Sequence, residues 1–138
     1  MAGGIMTEAR ATWIADQRFE GVSSSNHPIT VDGDKHAGNS PMELLLIGLC
    51  GCTGYDVASI LRKKREPLGS LQVNAKAERA ASPPTVYTEI QLTYKVGGKV
   101  SKKAVEDAVR LSEEKYCSVA AMLGKTAKIT YQIEYSDE

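Results

Sequence analysis

Apolar residues are densest between Ser40 and Glu66, where the chain reads SPMELLLIGLCGCTGYDVASILRKKRE. Its start is strongly marked, because a serine cap, proline at the first helical position and glutamate at the third combine Ser40, Pro41 and Glu43 into a capping box. The pattern predicts a helix running to about Arg65 and stopping before Pro67, with Arg62, Lys63, Lys64 and Arg65 beside the negative pole of its dipole. On either side the period falls to two. Upstream, RATWIAD, RFEGVSS and HPITVDG read as three short strands, and residues 33–39 as a polar loop. Downstream, LQVNAKAERA and TVYTEIQLTYKV alternate over enough length to form a pair of long antiparallel strands. After the break at Gly97 and Gly98, Ser101 caps a second helix whose apolar face is Ala104, Val105, Ala108, Val109 and Leu111. A shorter helical piece, SVAAMLGK, follows Cys117, and Lys128 to Tyr135 alternates again as a closing strand. The order βββ-α-ββ-α-α-β predicts an α+β domain spanning residues 1–138, with residues 1–8 a loose end.

Composition narrows the function classes. The 138 residues suit one domain, and 17 basic against 17 acidic side chains give no electrostatic reason to expect nucleic acid or an anionic membrane as partner. The longest run without polar side chains, Leu44 to Cys52, is less than half the ~20 residues of a spanning helix, so no membrane span is expected and a cytoplasmic location is the default. Three cysteines, an odd number, fit reduced thiols better than a secreted disulfide framework.

Two cysteines and three glycines in one apolar helix pose the chemical question. Cys50 and Cys52, two positions apart, project about 200° apart around the axis, so they share neither a metal face nor a disulfide in an intact helix. Only His27 and His36 supplement them, at none of the usual ligand spacings, and neither a metal nor a cofactor is expected. Taken alone, each helix cysteine reads as a small apolar filler. Gly48, Gly51 and Gly54 trace a strip without side chains, at a cost of roughly 1 kcal/mol each relative to alanine. The strip implies close approach by another helix or a partner subunit. Cys117 differs: it precedes a helical piece, where the dipole and free amides stabilise a thiolate.

SPMELLLIGLCGCTGYDVASIL, followed by LSEEKYCSVAAML and a closing strand, resembles the OsmC/Ohr family of osmotically inducible and organic-hydroperoxide-resistance proteins, most closely its OsmC-like branch with the EKYCSV signature. The likeness runs from Arg10 to Tyr135. It implies an intertwined homodimer with antiparallel sheets wrapped around two long central helices, and a thiol peroxidase that reduces organic hydroperoxides. By position, Cys52 matches the peroxidatic cysteine and Cys117 the resolving one, while Cys50 matches no functional residue. An external thiol or dithiol would reset the enzyme.

One position departs from the family pattern. Well-studied hydroperoxidases carry a glutamate directly after the helix-starting proline, paired with an arginine that stabilises the peroxidatic thiolate; here that position is Met42. Glu43 points about 100° away and is explained by capping. Arg18 is the positional match for the arginine, with an exposed strand arginine as the alternative. Two other readings share the fold: a redox-sensing thiol protein, and a noncatalytic dimer with an apolar ligand pocket.

Overall fold

A computed structural model describes residues 6–136; of the loose end expected at residues 1–8, the first five lie outside the described residues. The chain forms two compact units, residues 1–45 and 46–138. In the first, β1 (Ala9–Ala15), β2 (Arg18–Ser23) and β3 (Ile29–Asp32) make an antiparallel sheet in chain order, matching the three alternating segments of the sequence. Its strands bury almost nothing: Trp13, Ile14 and Ile29 are exposed, and Asp32 is the buried residue among the strands. The polar loop after β3 is organised by the Asp32 carboxylate, which accepts the amides of Asp34 (2.9 Å), His36 (3.2 Å) and Ala37 (2.9 Å). These bonds, Ala37 foremost, hold Asp32 below the usual carboxylate range.

Helix α1 (Pro41–Lys63) begins in the first unit and runs through the second. Its capping box forms in both directions, Ser40 N–H donating to Glu43 Oε1 at 2.8 Å and Glu43 N–H to Ser40 Oγ at 3.2 Å. At the far end the amides of Arg65 and Glu66 donate to the carbonyls of Arg62 and Leu61. Arg65 has φ 58°, so the helix stops in a Schellman turn built on arginine instead of glycine.

The second unit is a three-stranded sheet with α1, α2 (Lys102–Leu111) and α3 (Ser118–Leu123). β4 (Leu68–Arg79) pairs antiparallel with β5 (Tyr87–Gly98), as the two long alternating segments predict. β6 (Lys128–Ser136) lies on the other side of β5 and runs parallel to it, so this sheet is mixed where the family likeness implied antiparallel strands. The helical stretch between β5 and β6 supplies the crossover that a parallel pairing requires. The core unites Ile90, Leu92, Tyr94 and Val96 of β5 with Val105 and Val109 of α2 and a stripe of α1: Leu49, Thr53, Val57 and Leu61. By length and mean hydropathy (1.8 over its most apolar window) α1 could also cross a membrane, a measure looser than the polar-free run. That stripe, centred on a hydrogen-bonded threonine, makes it a core helix.

Candidate redox site

Cys52 occupies the fourth turn of α1, directly before the buried Thr53. Cys117 reaches the same place from a distant part of the chain. After α2 the backbone widens into one π-helical turn, Ser112–Tyr116, closed by Cys117 N–H donating to the Ser112 carbonyl at 2.8 Å. Cys117 then leaves helical geometry to become the N-cap of α3, its sulfur accepting the Ala120 amide at 3.3 Å. The sulfurs of Cys52 and Cys117 and a carboxylate oxygen of Asp56 all lie within 4.8 Å of one another. Asp56 stands four residues after Cys52 and therefore on the same helix face.

The two thiols differ in setting. Cys117 is 3% exposed, whereas Cys52 is half-buried. Burial pushes the Cys117 thiol up to about 12, and the hydrogen bond it shares with Cys52 adds to the rise. At neutral pH the Cys117 thiol is protonated. Cys50 is half-buried and outside the core, where burial raises its thiol as well, and the cluster excludes it. The filler reading of Cys50 thus finds no tight core position in this chain.

Behind the sulfurs runs a buried polar network that sequence reasoning missed. Thr53 Oγ1 lies 2.6 Å from Tyr94 Oη and 2.7 Å from Ser112 Oγ. Tyr94 donates to Glu113 Oε2 at 2.5 Å, and Ser112 donates to Asp56 Oδ2 at 2.9 Å. Burial raises the Glu113 carboxyl, opposed by its bonds from Tyr94 and Thr53; burial also raises Tyr94, with Glu113 adding to it. The available signal was Asp56 at four residues from Cys52, together with Ser112 and Glu113 just ahead of Cys117. What hid it is the π turn, which changes the direction of each following side chain by an amount no periodicity encodes.

Arg18, the third residue singled out by the sequence, lies in β2 of the first unit; its half-buried guanidinium is 3.9 Å from the exposed Asp16. Met42 sits in the first turn of α1, beside a Glu43 carboxylate committed to the cap.

A two-unit α+β chain that brings a thiol from its central helix against a thiol at the start of a later helix has the architecture of the OsmC-like proteins. The family model described as OsmC-like protein matches residues 32–132, and the chain belongs to that family. It is 42% identical to Protein YhfA of Escherichia coli (strain K12) over 129 residues, covering 92% of this chain and 96% of that one. Among solved structures, a hypothetical protein from Aquifex aeolicus VF5 is similar at 35% identity and TM-score 0.84, over 97% of this chain and all of that one. An organic hydroperoxide resistance protein OsmC from Legionella pneumophila has the same fold at 12% identity, TM-score 0.72, with 96% and 99% coverage.

Proposed function

We propose that the protein is a thiol-dependent peroxidase that reduces organic hydroperoxides, with Cys52 as the attacking thiol and Cys117 as the resolving one. The observation that carries this reading is the meeting of the two sulfurs from far-separated segments. Family membership supports it, since some OsmC-fold proteins bear the name organic hydroperoxide resistance protein.

The chemistry uses the proton that the buried Cys117 thiol keeps. The Cys52 thiolate attacks the terminal oxygen of ROOH; the S–O bond forms, the O–O bond breaks, and alkoxide leaves. Cys117 gives its proton to the alkoxide, producing the alcohol and its own thiolate. That thiolate attacks the Cys52 sulfenic acid, expelling hydroxide, which takes a proton from solvent, and a disulfide remains. An external dithiol returns two electrons. An open groove of about 540 Å³ shares Asp56 with the thiol cluster; Tyr55, Ile60, Leu111 and Tyr116 give it apolar surface for an R group, beside the polar Ser59, Lys63 and Lys64.

The active assembly is a homodimer. Only four of the 23 α1 residues are buried, Leu45, Ile47 and Tyr55 are exposed, and a Cβ added at Gly48 or Gly51 would meet nothing within 4 Å. The close neighbour that the glycine strip implies is then a second copy. Arg18 is the candidate cation for Cys52 in that assembly, which works in the cytoplasm.

Steady-state consumption of cumene hydroperoxide with a dithiol reductant tests the reading. The wild type is expected to turn over, Cys52→Ser to lose all activity, and Cys117→Ser to accumulate a sulfenic acid that dimedone traps. A wild type no faster than free thiol, or an active Cys52→Ser variant, would overturn it.

A further inference from the structure

Asp56 lines the groove but is not one of the reacting groups, and its place beside the thiols is unfavourable for a thiolate. A carboxylate beside a thiol opposes formation of the thiolate, yet this one shares a 4.8 Å cluster with both sulfurs. We propose that Cys52, Asp56 and Cys117 form a binding site for a thiophilic divalent cation of the Zn2+ class, and that cation and disulfide are alternative occupants of the same place.

Donor chemistry comes first. Two thiolates and one carboxylate are a ligand set for Zn2+, and the sulfurs discriminate against Mg2+ and Ca2+, which prefer all-oxygen coordination. Three anionic donors so close repel one another when ionised, and a dication between them turns that repulsion into attraction. With Zn–S near 2.3 Å and Zn–O near 2.0–2.2 Å, donors around a tetrahedral ion stand roughly 3.5–3.8 Å apart. A cluster already within 4.8 Å reaches that spacing by a contraction of about 1 Å.

Support for the ligands is also in place. Ser112 orients two of the three: its hydroxyl donates to Asp56 Oδ2 at 2.9 Å, and its carbonyl accepts the Cys117 amide at 2.8 Å. Thr53 holds the Ser112 hydroxyl in turn, at 2.7 Å. Such outer partners fix the direction of metal-binding groups. Cys52 and Asp56, one helical turn apart on α1, present their donors together. Three protein ligands leave a fourth position for water. The inference needs only these side chains and not the peroxidase reading, although a bound cation occupies the Cys52 sulfur and blocks its attack on peroxide.

The test uses the full-length, reduced protein with Zn2+ and Co2+ as probes. Competition against a chromophoric zinc chelator is expected to give one tightly bound Zn2+ per chain, and Co2+ to give a sulfur-to-cobalt charge-transfer band with the visible bands of a tetrahedral site. Cys52→Ser and Cys117→Ser are expected to weaken Zn2+ at least 100-fold and Asp56→Asn at least tenfold, while Cys50→Ser binds as the wild type does. Wild-type protein oxidised with diamide should bind none. No charge-transfer band in the wild type, equal affinity in Asp56→Asn, or stoichiometric binding by a Cys52→Ser/Cys117→Ser double variant would overturn the site. The wild-type spectrum needs no variant to fold. A wild type that binds no cation can still turn over hydroperoxide, and one without turnover can still give the cobalt spectrum, so the two readings fail separately.

Discussion

Thr53 is 0% exposed and its hydroxyl joins Tyr94 to Ser112, so the residue next to Cys52 also ties α1 to β5 and the π turn. Replacing it with valine keeps the shape and removes the bonds of the Thr53 hydroxyl, about 0.5–1.5 kcal/mol each, while Tyr94 and Ser112 go on donating to Glu113 and Asp56. Thr53→Val is therefore expected to lower stability by roughly 1–2 kcal/mol in urea denaturation, and a loss under about 0.5 kcal/mol would mean that the network rearranges around it. Glu113 supplies a pH signature. Its folded carboxyl is raised, chiefly by burial. Below the ordinary carboxylate value it is protonated in both states; as pH rises through the raised folded value, ionisation favours the unfolded chain and stability falls. Asp32 has the opposite sign, since its lowered carboxyl contributes stability above the ordinary value that is lost as pH falls. Glu113→Gln should remove the decline of stability with rising pH and Asp32→Asn the loss at low pH; denaturation midpoints across the acid range separate them, and an unchanged profile in either variant contradicts its assignment.

Most elements were legible because each keeps one period throughout. The α1 capping box, the β4 and β5 alternation and the Ser101 cap of α2 all form as their residues predict, with Ser101 Oγ accepting the Ala104 amide at 3.2 Å. Three features were not legible, for physical reasons. The π turn inserts one residue into a helical ladder without altering the hydrophobic pattern, yet it positions Ser112, Glu113 and Cys117. Whether β6 runs parallel or antiparallel to β5 depends on the crossover and not on alternation, which is the same in both cases. Asp56 and Tyr94 read as ordinary polar residues of a helix and a strand until the fold joins them through Thr53 and Ser112. The turn from β5 also sets a firm backbone requirement: Gly98 has φ 108°, and an added Cβ would lie 2.5 Å from both Gly69 N and the Pro67 carbonyl oxygen. Gly98→Ala should destabilise by at least about 1–3 kcal/mol, read as a lower melting temperature. A neutral effect would show that this turn can shift.

For the whole molecule, the exposed apolar side of α1 and the open Gly48 and Gly51 positions make the assembly state the main question. In a lone chain, alanine at both positions would gain helix propensity of about 1 kcal/mol each at no steric cost. Against a partner helix the same positions have no room, so Gly51→Leu is expected to shift sedimentation from dimer to smaller or unfolded species while wild type remains dimeric at micromolar concentration. A fully helical wild-type monomer at that concentration would contradict the interface. The central claim is that Cys52 and Cys117 act as one redox pair, and mass spectrometry of the unreduced protein after one equivalent of cumene hydroperoxide tests it most directly. The expected product is a single Cys52–Cys117 disulfide formed at the rate of peroxide loss, with Cys50 free. Oxidation confined to Cys50, or a stable sulfenic acid on Cys52 with Cys117 still reduced, would contradict it.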